Sequence, residues 1–363
     1  MVNFKPTDEQ ELIRQTMADF AREVLRPHAR EADERNAVPE NVVQRGWELG
    51  LVQSAIPEGL GGFGDARSAV SGVLLLEELA YGDLAQAMHL LTPRLLTIPL
   101  LLVGTDAQRE RWLPRFAGSE FTVGTAAFVE PRWDFDPTTL TTRAERRGGD
   151  WVLTGTKCLV PLAAQAEALL VYASAADRLA AFVVERGTPG LAIGEREKNM
   201  GIKALDTYPV VLDGVRVPAD ARLGGDGADL QPIVDASRVA VAALAVGVAR
   251  AAFDHARDYA KDRRAFGVAI AQKQAIAFKL ADMAIEIDAM RLLAWEAAAR
   301  LDREQPATRE CYLARYYASN STLGITDNAV QILGGHGYIR EHPVELFLRN
   351  ARGFATLDGL AVV

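Results

Sequence analysis

The stretch that decides the fold runs from residue 326 to residue 359 and reads TDNAVQILGGHGYIREHPVELFLRNARGFATLDG. Apolar residues at helical spacing run into Gly334 and Gly335, and paired glycines are typical of a helix end because glycine takes positive φ without steric cost. A second short helix is predicted to begin at Pro343, since proline suits a first helical turn. One carboxylate, Asp358, closes the segment.

Residues 229–352, which overlap this stretch, show helical periodicity. Apolar residues recur every three or four positions along one long helix, at Ile276, Leu280, Met283, Ile287, Met290 and Ala294. A continuous apolar seam of this kind favours an antiparallel helix bundle. The same seam, residues 276–294, also suits the packing of two bundles against each other, so we expect it to join subunits into a tetramer.

The first 118 residues also read as helical, beginning with a capping box formed by Thr7 and Gln10. Residues 119–228 instead contain short strand-like segments and a hairpin signal at 148–150, which favour a small antiparallel β domain. The predicted class is therefore α+β. Its three parts are an N-terminal helical domain (1–118), a middle β domain (119–228) and a C-terminal antiparallel helix bundle (229–363).

Bulk composition excludes several classes of function. The net charge of −8 argues against a nucleic-acid surface. Two cysteines, Cys158 and Cys311, build neither a disulfide framework nor a cysteine zinc site. The five histidines show no pair on one helix face, so no metal site is predicted. The longest apolar run, 239–249, is too short for a membrane span, and no apolar signal core precedes the first helix. A cytoplasmic protein is expected.

A glycine-rich run at Gly59–Gly64, GLGGFG, matches the spacing of a dinucleotide-binding loop. That loop requires a preceding strand and a following helix within a βαβ unit. Helical patterns surround the run, and no parallel-sheet pattern follows it. A surface loop is therefore the better interpretation.

The C-terminal stretch resembles the signature of the acyl-CoA dehydrogenase family. The family pattern Gln-Ile-x-Gly-Gly-x-Gly-Tyr is intact here, in Gln331, Ile332, Gly334, Gly335, Gly337 and Tyr338. The family's Arg-Asp-Ala is nearly kept as residues 349–351, Arg-Asn-Ala, and its Glu-Gly-Thr is altered to residues 358–360, Asp-Gly-Leu. The order of helices, β domain and helix bundle is similar to that family over nearly the whole chain. The resemblance implies FAD-dependent α,β-desaturation of an acyl-CoA thioester.

Residues that contact the adenylate half of FAD in this family are present. The segment YAKDRRAFG, residues 259–267, is similar to the family's Tyr-Ala-x-x-Arg-x-x-Phe-Gly and is followed by the matching glutamine. The resemblance assigns cofactor contacts to Arg263, Phe266, Gln274, Gln331, Gly334 and Gly335. Arginine suits phosphate because its planar fork pairs two oxygens at once. In this family one chain holds the flavin ring and the neighbouring chain holds much of the adenylate half.

Residues that contact the flavin ring are altered. The family has Thr-Glu-Pro where this chain has residues 129–131, Val-Glu-Pro. It has Lys-x-Trp-Ile-Thr where this chain has residues 157–161, Lys-Cys-Leu-Val-Pro. Leu159 does not stack as an aromatic ring does, and Pro161 offers neither a hydroxyl nor an N–H group.

The catalytic base is altered as well. Asp358 stands where the family has glutamate, and its side chain is shorter by one methylene, about 1.5 Å. A catalytic group misplaced by about 1 Å can lower the rate on the order of 10²-fold. Some family members place the base on the first bundle helix, just before an arginine. That position is Ser237 here, with Asp235 on a different helix face. Arg238 matches a family position near the CoA-binding region and is a candidate substrate contact.

Three hypotheses of function follow. In the first, the chain is one subunit of a heteromeric α2β2 acyl-CoA dehydrogenase of the kind found in bacterial steroid or side-chain catabolism. In that case it completes the FAD-binding site of a homologous partner chain, and the partner chain carries the catalytic base. In the second, it is a homotetrameric dehydrogenase with Asp358 as base. In the third, it is a scaffold relative without FAD. The retained adenylate side together with the altered ring side favours the first.

Overall fold

The computed structural model describes residues 5–64 and 67–363, and its N-terminal part is helical. Thr7 and Gln10 form the predicted capping box at the start of the first helix. A π-helical turn, Ala21–Leu25, joins the first two helices. The helices are α1 (Asp8–Phe20), α2 (Arg26–Arg35), α3 (Glu40–Glu48), α4 (Ala69–Gly82), α5 (Leu84–Leu91), α6 (Arg94–Val103) and α7 (Asp106–Trp112).

The middle part is a seven-stranded sheet. Its strands are β1 (Gly124–Ala127), β2 (Arg143–Arg147), β3 (Asp150–Pro161), β4 (Ala168–Ala175), β5 (Arg178–Glu185), β6 (Leu191–Ile193) and β7 (Thr207–Val217). The spatial order is β1-β4-β2-β3-β7-β6, and β5 pairs with β4. The predicted hairpin at 148–150 joins β2 and β3. Most pairs are antiparallel as predicted, but β4 runs parallel to both β1 and β2.

The C-terminal part is the predicted helix bundle, so the fold class is confirmed. It comprises α8 (Gln231–Asp262), a two-stranded hairpin of β8 (Arg264–Ala265) and β9 (Val268–Ala269), α9 (Gln274–Asp302), α10 (Thr308–Leu333), α11 (Gly335–Tyr338) and α12 (Val344–Ala351). Helix α8 is long and apolar enough to cross a membrane, but 89% of its most apolar window is buried inside the protein. It forms the centre of the bundle.

Helices α4 and α8 cross at Gly247. A Cβ atom at this position would lie 2.3 Å from the backbone oxygen of Glu77 and 2.8 Å from Cβ of Ala80, so only glycine allows this approach. The carboxylate of Glu77 also binds Arg250 of α8 at 2.7 Å and Arg291 of α9 at 2.8 Å. One buried carboxylate therefore ties the N-terminal helices to two helices of the bundle.

The apolar seam of α9 has a different role from the predicted one. Met283, Ile287, Met290 and Ala294 are buried inside this chain. The seam therefore closes the chain's own bundle, and the prediction that it joins subunits into a tetramer is wrong. Periodicity alone does not distinguish a face that packs internally from one that packs on another chain.

Residues 349–351 of the signature join all three parts of the chain. Arg349 donates to the two carboxylate oxygens of Asp33 in α2 at 2.9 and 2.8 Å, and to the backbone oxygen of Met200 at 3.0 Å. Asn350 Oδ1 accepts the N–H of Ile202 at 2.7 Å. Since 200 and 202 lie between β6 and β7, this part of the signature holds the domains together.

The glycine-rich run at 59–64 forms a loop. A 3₁₀ turn at Glu58–Leu60 is followed by a single bridge between Pro57 and Gly64. No strand ends at this loop, because the preceding segment forms another 3₁₀ turn, Gln53–Ala55. The interpretation as a surface loop rather than a dinucleotide-binding loop agrees with this geometry.

Candidate functional site

The connection between α8 and α9 carries three of the predicted cofactor residues. Arg263 follows the last residue of α8, Phe266 lies at the tip of the β8–β9 hairpin, and Gln274 begins α9. All three are exposed, Phe266 to 94%. Within residues 5–64 and 67–363, the guanidinium of Arg263 makes no hydrogen bond and no ion pair. It is therefore available for an anionic ligand.

The glycine turn after α10 lies beside this connection. The hydroxyl of Tyr259, one helical turn before Arg263, is 2.7 Å from Nδ1 of His336. Lys279 of α9 donates to Asn328 Oδ1 of α10 at 2.6 Å, one turn before Gln331. The structure thus brings the α8–α9 connection, Gln331 and the glycine turn to the same end of the bundle, although the two groups lie far apart in sequence.

The glycines of this turn leave open space. Gly334 ends α10 with a φ of 59°, and a Cβ atom on Gly334 or Gly335 would meet no other group within 4 Å. Gly337 differs, because its Cβ would lie 2.4 Å from the backbone oxygen of Val330. The open turn and the free guanidinium of Arg263 fit a ligand that carries phosphates, so these residues suit the adenylate half of FAD.

Three histidines meet at the same turn. Nε2 of His255 lies 3.1 Å from Nδ1 of His342, and the rings of His336 and His342 stack at 5.7 Å. Burial, with the neighbouring His342, lowers the pKa of His255. Sequence reasoning did not find this cluster, because 255 and 342 are 87 positions apart. Among the described residues, no group of three or more His, Cys, Asp or Glu is arranged to hold a metal ion.

Two of the altered ring-side residues, Leu159 and Pro161, lie in the last part of β3, which carries a bulge. The register between β3 and β7 shifts between Lys157 and Val160, and Leu159 has a φ of 54°. The N–H of Leu159 donates to Glu197 Oε2 at 3.0 Å. The carbonyl of Pro161 accepts from the hydroxyl of Thr125 at 2.6 Å. Leu159 has no aromatic face and its N–H is engaged by Glu197, while Pro161 has no N–H and no hydroxyl. These two residues therefore do not supply the ring contacts that the resemblance assigns to their positions.

A buried ion pair anchors that bulge. Lys157 Nζ donates to Glu130 Oε1 and to the backbone oxygen of Phe128, both at 3.0 Å. Glu130 also accepts the N–H groups of Thr141 and Thr142 at 2.7 and 2.8 Å. Burial opposes the charged form of Glu130, but Lys157 and these donors outweigh it and lower its pKa to about 2. The pair has a structural role.

Asp358 is held by an arginine that sequence reasoning missed. Nε and Nη2 of Arg315, in α10, donate to the two oxygens of Asp358 at 3.1 and 2.6 Å. Burial raises the pKa of Asp358, and the charges of Arg315 and Arg238 oppose that effect. Each oxygen thus accepts one hydrogen bond from Arg315, and this pairing favours the charged form of Asp358 over the protonated one.

The alternative base position on α8 is also engaged. Ser237 Oγ accepts the N–H of Gly359 at 3.1 Å, so it fixes the segment that carries Asp358. Arg238 lies 3.8 Å from Asp235 and 5.4 Å above the ring of Tyr312. Asp235 binds the hydroxyl of Thr308 at 2.7 Å. Arg238 is thus on the same side of the molecule as Asp358, and its role toward CoA stays a prediction.

Family models match the chain in three consecutive segments. They describe the acyl-CoA dehydrogenase N-terminal domain over residues 7–120, the middle domain over 125–215 and the C-terminal domain over 228–361. Together these matches cover most of the sequence in the order in which the three structural parts occur.

Similar proteins agree with these matches. The short-chain specific acyl-CoA dehydrogenase of Bos taurus mitochondria is 37% identical over 98% of this chain and 88% of its own length. Butyryl-CoA dehydrogenase from Megasphaera elsdenii superposes with a TM-score of 0.89 at 32% identity, covering 99% of this chain and 96% of its own. A glutaryl-CoA dehydrogenase from Mycobacterium smegmatis in complex with FADH2 gives a TM-score of 0.87 at 26% identity over 98% and 92%.

Proposed function

The chain belongs to the acyl-CoA dehydrogenase family, and we propose that it works as one subunit of a two-chain enzyme, where it completes the adenylate side of a shared FAD site. It is an oxidoreductase that acts on an acyl-CoA with FAD as cofactor. The flavin supplies the electron acceptor for α,β-desaturation. In our proposal the homologous partner chain supplies the ring contacts and the base, in a cytoplasmic α2β2 tetramer that serves steroid or side-chain catabolism.

The pairing of Asp358 with Arg315 carries this proposal. A bidentate arginine–carboxylate pair is among the stronger side-chain interactions, and protonation of the carboxylate weakens it, so the pairing opposes the use of Asp358 as a base. Asp358 is also shorter than glutamate by about 1.5 Å. Leu159 and Pro161 also support the proposal, because they replace the aromatic residue and the hydrogen-bond donor that contact the flavin ring in the family.

The exposed adenylate-side residues point to a shared site. Arg263, Phe266 and Gln274 face solvent, so a cofactor bound there needs a second surface to cover it. Helix α9 presents such an interface: Phe278, Ile285 and Leu292 lie exposed at intervals of seven residues. An apolar stripe of this spacing on a helix suits packing against another helix. In our proposal this exposed stripe, rather than the internal seam of α9, packs against another subunit.

A self-sufficient homotetramer is the second candidate. One observation favours it: burial raises the pKa of Asp358, and a raised carboxyl pKa is typical of a general base that works near neutral pH. The third hypothesis, a scaffold without FAD, leaves the free Arg263 without a role. The two experiments below separate these possibilities.

FAD content tests the shared site. We expect the chain expressed alone to carry little FAD, and the complex with its partner chain to carry FAD. In that complex Arg263→Ala should weaken FAD binding about 10- to 100-fold, because a charged hydrogen bond to phosphate contributes about 1.5–3 kcal/mol. Flavin absorbance after dialysis at set FAD concentrations measures this. Arg216→Ala, on the exposed edge of β7, is the control and should retain FAD.

A yellow chain on its own, with close to one FAD per chain, would contradict the shared site. Equal FAD affinity in the Arg263→Ala and Arg216→Ala complexes would remove Arg263 from the cofactor site.

Asp358→Asn tests which chain supplies the base. In the FAD-loaded complex we expect turnover to stay within about twofold of the wild type, since loss of a working general base costs about 10²–10⁴-fold. Steady-state kcat for acyl-CoA oxidation with an artificial electron acceptor is the readout. A fall of more than 100-fold, together with turnover by the chain alone, would establish the self-sufficient enzyme instead.

A further inference from the structure

A groove between α1, α4 and α6 contains a buried arginine without a counter-charge. Arg94, the first residue of α6, is only 6% exposed, and its Nε has no hydrogen-bond partner. In the part of the chain that the structure describes, its guanidinium makes neither a hydrogen bond nor an ion pair. Burial, with the charge of Arg67, lowers the pKa of Arg94 to about 10, so the group is still cationic at neutral pH. An isolated buried charge is costly, so an anion is expected beside it.

The groove has room for such an anion. Its volume is about 380 Å³, within the usual range of small-ligand sites. Three charged residues, Arg94, Arg67 and Glu9, line it together with hydroxyl and aliphatic side chains. The larger aliphatic ones are Leu12, Ile13, Met17, Leu75 and Ile98. Arg67 is already engaged, because its Nη1 donates to the backbone oxygen of Val363 at 2.8 Å. Among the residues that the structure describes, Arg94 forms no ion pair with Glu9, so one guanidinium without a partner faces a groove whose lining is largely aliphatic.

This groove is separate from the surface around Arg263. It is built from the N-terminal helices, whereas the predicted cofactor residues lie at the α8–α9 connection and the turn after α10. It is close to Asp358 along the chain, since Val363 lies five residues later, at most about 18 Å away. A ligand here would contact the end of the segment that carries Asp358.

We propose that the groove binds a small monocarboxylate with an unbranched apolar chain, whose carboxylate pairs with Arg94. The planar guanidinium matches the two oxygens of a carboxylate, and a monocarboxylate supplies one negative charge for the one guanidinium of the groove that lacks a partner among the described residues. The aliphatic lining receives the hydrocarbon chain. This site does not depend on FAD or on a partner chain.

Calorimetric titration of the full chain with sodium octanoate tests the proposal. We expect one site per chain in the wild type and at least tenfold weaker binding in Arg94→Met, which keeps the length of the side chain and removes its charge. Arg94→Lys should bind octanoate with intermediate affinity, because lysine keeps the positive charge but lacks the planar guanidinium that pairs with both carboxylate oxygens. Arg216→Met, on the surface of the β domain, should bind octanoate as the wild type does.

A second readout gives Arg94→Met a distinct signature. Without ligand its melting temperature should rise, because an uncompensated buried charge has been removed. Octanoate should raise the melting temperature of the wild type and leave that of Arg94→Met unchanged. A lower melting temperature of ligand-free Arg94→Met would show that Arg94 has a partner within the chain and would overturn the proposal.

Two comparison ligands test the class of compound. 1-Octanol and inorganic phosphate should each bind at least tenfold more weakly than octanoate. Equal binding of 1-octanol would show that charge is not recognised, and equal binding of phosphate would show that the aliphatic lining is not used. Octanoate binding that appears only in Glu9→Gln would show that an acidic side chain of this protein compensates Arg94. Each of these results would reject the proposed site.

Discussion

Replacing Lys157 with methionine is expected to lower the free energy of unfolding by about 3–5 kcal/mol, because the buried carboxylate of Glu130 is left without its counter-charge. Both side chains are almost completely buried, at 0% and 1% exposure. Urea unfolding followed by circular dichroism measures the change. The double variant Lys157→Met/Glu130→Gln should recover part of the loss, since it no longer buries an unpaired charge.

A surface pair in the same sheet supplies the control. Arg216 of β7 and Asp150 of β3 lie 3.2 Å apart at 59% and 40% exposure, so Arg216→Met should change stability by less than about 1 kcal/mol. A Lys157→Met loss as small as that of Arg216→Met would contradict the structural role of the buried pair.

The same pair predicts a loss of stability in acid. The pKa of Glu130 is lowered from 4.5 to about 2, so its contribution is fully present above pH 4.5 and is lost as the pH falls from 4.5 to 2. The wild type should therefore lose more stability across this interval than Lys157→Met/Glu130→Gln. If the stability of the two proteins falls equally with pH over this interval, Glu130 is not the cause of the acid sensitivity.

Gly247→Ala is the second change with a large expected effect, a loss of about 2–3 kcal/mol. Alanine ordinarily favours a helix interior over glycine by about 0.5–1 kcal/mol. Here its Cβ would collide with the backbone of α4, 2.3 Å from the oxygen of Glu77, and backbone atoms do not move aside as a flexible side chain does. Thermal unfolding measures the balance of these two effects.

Gly324→Ala is the matched control. Gly324 also lies inside a helix, α10, but a Cβ atom there would meet no other group within 4 Å. It should therefore stabilise the protein by about 0.5–1 kcal/mol, the ordinary benefit of alanine. The two substitutions should therefore change stability in opposite directions, and this difference separates the effect of helix packing from that of helix propensity. Destabilisation of equal size by both changes would show that the α4–α8 crossing is not the cause.

The sequence predicted those parts of the fold that depend on local chemistry. The capping box at Thr7, the helix end at Gly334 and the hairpin at 148–150 each follow from residues within a few positions of one another. The switch of periodicity from helix to strand and back depends on neighbours in the same way. The parallel pairing of β1 with β4 was not predicted, because strand order is decided by contacts about 40 residues apart.

The candidate site likewise has a part that the sequence predicts and a part that it does not. The positions of Arg263, Phe266 and Gln274 follow from one short motif, whereas their placement beside the glycine turn depends on contacts between helices. The partner of Asp358 was not predictable, because Arg315 is 43 positions away in a helix where its spacing carries no signal. Arg94 was missed for the opposite reason: no pattern in a sequence marks an arginine that lacks a partner.

The contacts that hold the three parts together also bear on how this chain tolerates mutation. Arg349 with Asp33, and Glu77 with two arginines, join the domains without using any residue assigned to the flavin ring. Substitution at position 159 or 161 therefore leaves these contacts between the domains in place. Selection on foldability and selection on chemistry act on different residues, so the pocket is free to drift under mutation while the subunit stays intact and able to assemble.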